Sequence, residues 1–497
     1  MNIMKKMKST LALCLAVFFA CTSSEARHGN GAEPQDTDKG RIVVSPDNRF
    51  LMYENGEPFY WFGDTAWMLV DKVSTEDARF YLSKRAEQGF TVVQVAALGD
   101  GFATFKSNYH GETGFTDPEY TVPNDRYFDH VEKIIDMAAE YGLVVAFLPN
   151  WGDKICSLYG SNTLIFDTEE KAENYGRYIG CRLKDKKNVI YVLGGDRPAV
   201  GEDNGKPFDI RDIVRAQARG IAVGICGRED YGWCTMTYHP NGWSTSAKWF
   251  HDDPWLDFNM EQNGHYFDND IWDKIYRDYS LSPAKPVLDG EPTYESLNLK
   301  DMDNTVSSGF SVRRFMYHDL FSGAFGHTYG EGSMWRFYDP EIEGIADGFQ
   351  QDKEETRCWK ENMDLEGARQ VIYAKNLIMS RPYFTRIPDN SLVTELYSGH
   401  QRITATRDTD NTYVMVYTEQ GKPICLDTTP IGGGSVVKAW WFDPRTGEAE
   451  FIGEVLKGKQ SEFRPETEGL GNDWVLVVDA YDSGYPAPGS ATAKENL

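Results

Sequence analysis

The chain has 497 residues, too many for one ordinary hydrophobic core, so two domains are expected. Its 76 acidic residues outnumber the 51 basic ones for a formal net charge of −25, which argues against a nucleic-acid partner, because phosphates demand a basic footprint. Aromatic residues make up 13%, with 13 Trp, and most of these rings are expected to fill large cores.

In chain order, Lys5, Lys6 and Lys8 form a positive start and residues 11–20 a short apolar run, which reads as a signal peptide over 1–20. The run is too short to span a bilayer. Cys21 follows Phe18-Phe19-Ala20 and resembles a bacterial lipoprotein cleavage site, although Phe18 stands where Leu is usual. Ordinary cleavage after Ala26 is the alternative. Residues 21–40 are polar and read as a flexible tether. Of eight Cys, the six beyond the leader show no CxxC spacing, so neither a metal site nor a redox motif is expected, and most are read as buried free thiols. No cofactor is implied.

From residue 59 to 330, strand-like apolar runs alternate with helical patterns. The strand candidates are 59–62, 91–97, 143–148, 189–193, 233–238, 256–260, 286–288 and 324–329, eight in all. Helices are expected from the Ser74 N-cap through Arg85 to a stop at Gly89, and over 127–141, 169–184, 210–223, 306–320 and 365–378. No helix is expected between the fifth and sixth strands. This α/β alternation predicts a (β/α)₈ TIM barrel over 41–382. An open doubly wound sheet is the rival, disfavoured because no G-x-G-x-x-G turn follows the first strand. Residues 41–55 form a strand-like pair, either a hairpin closing the barrel bottom or a strand lent to the second domain. Over 383–485, short β-rich pieces separated by turns such as Asp443-Pro-Arg-Thr-Gly447 predict a C-terminal β-sandwich, and 486–497 a polar tail.

Two strands end alike, in Asn188-Val-Ile-Tyr-Val-Leu-Gly-Gly-Asp196 and Pro286-Val-Leu-Asp-Gly-Glu-Pro292. Each stops on glycine and presents a carboxyl group at the C-terminal face, where barrel enzymes carry their chemistry. Two such groups meeting across the mouth are what glycosidic bond cleavage needs. Asp196 on strand four is read as general acid/base and Glu291 on strand seven as nucleophile. A separation of about 5–5.5 Å would mean retention and about 6.5–9.5 Å inversion. Asp289 is expected on the same side as Glu291, one layer deeper, tuning its pKa. The remaining strand ends supply Asp64, Gln94, Asn150, His239, Gln262 and His327, with Trp67, Trp151, Tyr329 and Trp335 nearby. These ten are read as substrate-binding residues of a sugar pocket, with hydroxyl partners and aromatic walls.

At these positions the chain resembles the apiosidase-like glycoside hydrolases. The resemblance lies in Phe59-Tyr-Trp-Phe-Gly-Asp-Thr-Ala-Trp67, Gly89-Phe-Thr-Val-Val-Gln94, Leu193-Gly-Gly-Asp-Arg-Pro198, Asp257-Phe-Asn-Met260 with Gly264-His265, Gly290-Glu-Pro292 and Gly326-His-Thr-Tyr-Gly330. It covers roughly 41–382 and implies a (β/α)₈ enzyme cleaving D-apiose from galacturonic acid in rhamnogalacturonan-II. It also implies Asp196 and Glu291 as the catalytic pair. Trp440-Trp-Phe-Asp-Pro-Arg-Thr-Gly447 and Asp473-Trp-Val-Leu476 look like the collagen-binding-type β-sandwich that commonly follows this barrel. One departure is the loop Glu331-Gly-Ser-Met-Trp335, where relatives often carry His or Asn before the Trp. Three functions follow: a retaining glycosidase on an apiosyl linkage of pectin, a glycosidase on another pectic or arabinose-containing glycan, or a non-catalytic surface glycan-binding lipoprotein. The expected location is outside the bacterial cytoplasm, in the periplasm or at the cell surface, with membrane contact only through a lipid on Cys21.

Overall fold

All eight expected strands form, each as a short, fully buried segment: β1 (Trp61–Thr65), β2 (Val92–Ala96), β3 (Val144–Leu148), β4 (Val189–Gly194), β5 (Met236–His239), β6 (Asn259–Gln262), β7 (Val287–Glu291) and β8 (Gly326–Tyr329). The computed structural model describes residues 39–99, 106–158, 164–267, 271–301, 305–343 and 357–490. The expected leader, Cys21 and nearly all of the tether lie outside the described residues, as does the end of the polar tail. β5-β4-β3-β2-β1-β8 make one parallel sheet, and β6 pairs β7 in parallel. Backbone bonds close the two seams: Asp257 N–H to Met236 O at 2.9 Å and Phe325 N–H to Val287 O at 3.0 Å. The result is the predicted TIM barrel.

Among the described residues, seven helices of eight or more residues follow the strands: α1 (Thr75–Glu87), α2 (Asp125–Glu140), α3 (Glu169–Leu183), α4 (Arg211–Cys226), α5 (Ile271–Tyr279), α6 (Gly309–Phe321) and α7 (Glu366–Met379). Side chains cap α1 to α3: Ser74 accepts from Asp77 N–H, Asn124 from Arg126 and Thr168 from Lys171. The β5–β6 crossover carries only a four-residue helix, Ala247–Phe250. α5 escapes sequence reading because it is only nine residues long, although Ile271, Trp272, Ile275, Tyr276 and Tyr279 recur at helical spacing.

The barrel lumen is defined by Gln94, whose Nε2–H donates 2.8 Å to Gly290 O on the non-adjacent β7. Register then places Thr65, Gly63 and Trp61 on the lumen side and Asp64 and Phe62 toward the helices. Residues 41–55 form the expected hairpin, whose strands Ile42–Val44 and Leu51–Tyr53 pair antiparallel and continue into Pro58–Phe59. Thr235 Oγ, just before β5, donates to Ile42 O at 2.6 Å, which sets the hairpin against the barrel bottom rather than in the second domain.

The second domain is the predicted β-sandwich. Its larger sheet comprises β9 (Arg386–Pro388), β10 (Ile403–Asp408), β11 (Tyr413–Thr418), β12 (Val436–Phe442), β13 (Ala449–Leu456) and β14 (Trp474–Ala480), all antiparallel in the order β9-β10-β11-β14-β12-β13. Alternation along β11 and β14 divides two cores. Tyr413, Met415, Tyr417, Val475 and Val477 join the barrel core, while Val414, Val416, Leu476 and Val478 pack with Ile424, Leu426 and Phe463 of the smaller sheet. Between barrel and sandwich sit buried ion pairs with the Arg on the barrel side. Arg313 Nη2 lies 3.0 Å from Asp473, Arg314 Nε 2.8 Å from Glu419, and Arg381 Nη2 2.7 Å from Asp479. The six described Cys are free thiols, but against expectation most are not buried: only Cys156 and Cys234 are, while Cys181 is exposed and Cys226, Cys358 and Cys425 are half-buried.

Candidate active site

Asp196 owes its position to the two glycines before it. Gly194, Gly195 and Asp196 have φ of 85°, 119° and 52°, so the chain turns left-handed three times in succession as it leaves β4. A Cβ on Gly194 would sit 2.7 Å from His239 O, and one on Gly195 2.8 Å from Gly152 N, so neighbouring backbone forbids any larger residue. Asp is among the few residues that tolerate the left-handed region, at a cost of about 1–2 kcal/mol. The turn leaves the Asp196 side chain 37% exposed, facing the mouth. Gln262 Nε2–H donates to its Oδ1 at 3.2 Å, and Arg197 Nη1 lies 3.3 Å from Oδ2.

Glu291 arrives from the opposite side. The register between β6 and β7 shifts at Glu261/Gln262, which pairs Gln262 with Glu291 and turns that side chain into the mouth. Asp289 consequently does not lie beneath it on the lumen side. It shares the face of Val287, which packs on Ile275 of α5 and Phe315 of α6, and accepts Asn263 Nδ2–H and the Glu291 backbone N–H. Burial pushes the Asp289 carboxyl up to about 7. Its role is to hold the Glu291 backbone.

His239, at the end of β5, joins the two carboxyl groups. Its Nδ1 accepts the Asp196 backbone N–H at 3.2 Å, which assigns the ring proton to Nε2, 3.1 Å from Glu291 Oε2. His265 Nε2 lies 3.8 Å from the other oxygen, Oε1. The Tyr294 hydroxyl hydrogen-bonds Glu291 and accepts the Trp67 indole N–H at 3.2 Å. The protonation tendencies diverge accordingly. Burial raises the Asp196 carboxyl, the neighbouring Glu291 charge raises it further, and Arg197 and His239 offset this only in part. Burial also acts to raise Glu291, but His239, then His265 and Tyr294, outweigh it and hold the carboxyl below the ordinary glutamate value. Burial pushes His265 down to about 4, leaving it neutral.

The expected pocket residues separate into two groups. Trp67, Trp151, His239 and Gln262 surround the carboxyl pair; the Trp67 ring lies 5.1 Å from Trp151 and 5.3 Å from His239. Trp335 is half-buried on the loop after β8, its carbonyl accepting from Met68 N–H. Gln94 lies in the lumen but spends its amide on Gly290 O, supporting the backbone under Glu291. The others face away. Asp64 is sealed between β1 and α1, taking Tyr81 Oη–H at 2.6 Å and Arg85 Nε–H at 2.7 Å. Tyr329, its register partner, donates to Glu295 at 2.7 Å in the same layer. Asn150 uses both ends of its amide on Gln217 and Trp151 O. His327 lies on the helix side of β8, because Thr328 beside it bonds the lumen-facing Trp61 indole. Burial lowers it to about 3, and it is neutral. For Asp64, Tyr329 and His327 strand alternation overrides strand-end position, while Asn150, two residues past β3, is held away by its own hydrogen bonds. His265, Tyr294 and Arg197 are absent from the strand-end residues, since they stand one to three positions beyond the ends.

Among the described residues no group of three or more His, Cys, Asp or Glu is arranged to hold a metal ion, and no helix is long and apolar enough to cross a membrane.

A parallel barrel whose mouth holds two carboxyl groups with opposite protonation tendencies fits the glycoside hydrolase class. Sequence comparison agrees: the profile of the family described as "Apiosidase-like, catalytic domain" matches residues 45–385, and that described as "Putative collagen-binding domain of a collagenase" matches 387–479. The chain belongs to the apiosidase-like glycoside hydrolases. A solved structure described as a glycoside hydrolase is 31% identical, with 90% of this chain and 98% of that one covered and a TM-score of 0.78. A glycoside hydrolase family 5 structure from Bacteroides vulgatus is 32% identical over 92% and 96%, with a TM-score of 0.79. No functionally curated protein matches the chain.

Proposed function

We propose that this enzyme hydrolyses the apiosyl–galacturonic acid linkage of rhamnogalacturonan-II by a retaining, two-carboxylate mechanism. The observation that carries the assignment is the divergence around His239, where Asp196 is biased toward its protonated form and Glu291 toward its ionised form. In the first step Glu291 attacks the anomeric carbon, the bond to the leaving oxygen breaks, and that oxygen takes the Asp196 proton. In the second step Asp196, now a carboxylate, removes a proton from water, which displaces Glu291 from the sugar. Gln262 and Arg197 orient the acid, and His239, His265 and Tyr294 disperse the charge of the nucleophile. Trp67 and Trp151 wall the sugar, and Trp335 borders it.

A second substrate is favoured by one observation. Met334, at the position where relatives often carry His or Asn, is fully buried and brings no polar group to the pocket. The loop around it is fixed by Glu331, whose Oε2 accepts Ser333 N–H, Ser333 Oγ–H and Met334 N–H. Another pectic or arabinose-containing glycan is therefore the alternative. Incubating purified enzyme with rhamnogalacturonan-II and with arabinans, and identifying the products, separates the two. Release of apiose-terminated fragments supports the first reading, and release of arabinose from arabinan alone overturns it. If both substrates stay intact, both the apiosyl and the arabinan readings fall. For location we propose export with lipid attachment at Cys21. Radiolabelled palmitate incorporation that is lost in Cys21→Ser supports it, and unlabelled wild type contradicts it.

A further inference from the structure

Trp243 is the least expected residue on the upper face of the barrel. Its side chain belongs to a residue 54% exposed, and its backbone adopts φ 65°, a conformation that bulky residues rarely take and that marks functional loops. One hydrogen bond ties its backbone to the carboxyl pair, and one ring contact ties its side chain to the neighbouring loop. Its N–H donates to Gln262 O at 2.7 Å, on the residue whose amide holds Asp196. The Tyr266 ring packs edge-on against the indole, with centroids 4.3 Å apart. Between them stands Gly264, whose own N–H bonds Glu291 O at 3.2 Å and on which a Cβ would touch both rings. Lysines flank this pair in a protein of net charge −25. Lys300 Nζ lies 5.4 Å from the Tyr266 ring centroid, with its backbone N–H on His265 O, and Lys274 Nζ lies 5.4 Å from the Trp243 ring while contacting Asn263.

We infer that Trp243 and Tyr266 form a separate sugar subsite beside the bond that is cleaved, and that Lys300 gives it a preference for a carboxylate-bearing sugar. The inference rests on the glycosidase reading of the neighbouring carboxyl pair. An exposed indole against a phenol offers a flat apolar surface to the C–H face of a pyranose. The substrate therefore extends past the scissile linkage, and the enzyme works within an oligosaccharide rather than on a lone terminal residue. An acidic glycan approaching a protein of this charge is repelled overall, so local ammonium groups are needed to admit it.

Affinity electrophoresis of the full chain through gels containing polygalacturonate or its carboxyl-reduced, neutral counterpart tests this without requiring cleavage. Wild type is expected to be retarded more by the acidic polymer. Trp243→Ala is expected to bind both about 10-fold more weakly, and Trp243→Phe, which keeps a ring, to recover most of that loss. Lys300→Gln is expected to lose about 5-fold on the acidic polymer alone. Wild type that passes both gels unretarded, or Trp243→Ala that migrates like wild type, overturns the subsite. Equal losses for Lys300→Gln on both polymers overturn the acidic preference. Retardation without cleavage of any pectic substrate supports the subsite while contradicting the proposed function, so the two failures are distinguishable.

Discussion

Nε2 of His239 lies 3.1 Å from Oε2 of Glu291, and both atoms are sealed from solvent. The same ring receives the Asp196 backbone N–H on its other nitrogen, so one imidazole spans the two carboxyl-bearing loops. Its proton is thereby committed to the side of Glu291. A carboxylate 9% exposed would otherwise favour its neutral form, and the imidazole is what keeps it ionised.

His239→Ala should therefore lower kcat/KM by about 10²-fold, comparable to removing one preorganised donor. The acid limb of the pH–rate profile should also move. In the proposed mechanism Glu291 works ionised, so activity is lost as pH falls through its pKa; without His239 that pKa rises, and the limb shifts to higher pH. An acid limb that stays in place, measured on the same substrate, would show that His239 does not tune Glu291.

In the proposed mechanism the alkaline limb belongs to Asp196, which works protonated and fails as pH rises through its pKa. Arg197 acts to lower that pKa. Arg197→Gln should consequently raise it and carry the alkaline limb to higher pH, with the acid limb unchanged. A shift of the acid limb to higher pH instead, with the alkaline limb unchanged, would reverse the roles of the two carboxyl groups.

Asp64 is predicted to matter for stability and not for turnover. Asp64→Ala leaves Arg85 charged and buried with Tyr81, which costs about 3–5 kcal/mol on breaking a buried pair. Urea unfolding should show that loss, while kcat/KM below the melting temperature should stay within about threefold of wild type. A tenfold rise in KM with unchanged stability would restore Asp64 to the substrate pocket.

The fate of Asp64 shows what the sequence conveys and what it withholds. Eight strands were legible because parallel strands buried on both faces are continuous apolar runs, and the two Gly–acid endings were legible because abrupt polar residues after such runs are rare. That same burial on both faces hides which way each strand-end residue points. Asp64, Tyr329 and His327 stand at strand ends yet face the helices, while a one-residue register shift turns Glu291 inward. Tyr294 and Trp243 come from loops without periodicity, where no pattern signals their approach to the site.

The interface between barrel and sandwich yields a prediction about cooperativity. Arg381 makes two bonds to Asp479, from Nε at 2.8 Å and from Nη2 at 2.7 Å, and the inner face of the β11–β14 sheet belongs to the barrel core. Differential scanning calorimetry should show one transition for both domains. Arg381→Ala should destabilise that transition by about 3–5 kcal/mol, because Asp479 remains buried without its partner. Two well-separated transitions in the wild type would mean that the domains unfold independently.

The most direct test of the central claim is turnover of rhamnogalacturonan-II oligosaccharides by Asp196→Ala and Glu291→Ala, with and without azide. The account predicts that each substitution reduces kcat by at least about 10²–10⁴-fold. It further predicts that azide restores Glu291→Ala by attacking the anomeric carbon in place of the missing carboxylate, giving a glycosyl azide of configuration opposite to the substrate. Turnover within about tenfold of wild type in either variant would contradict it.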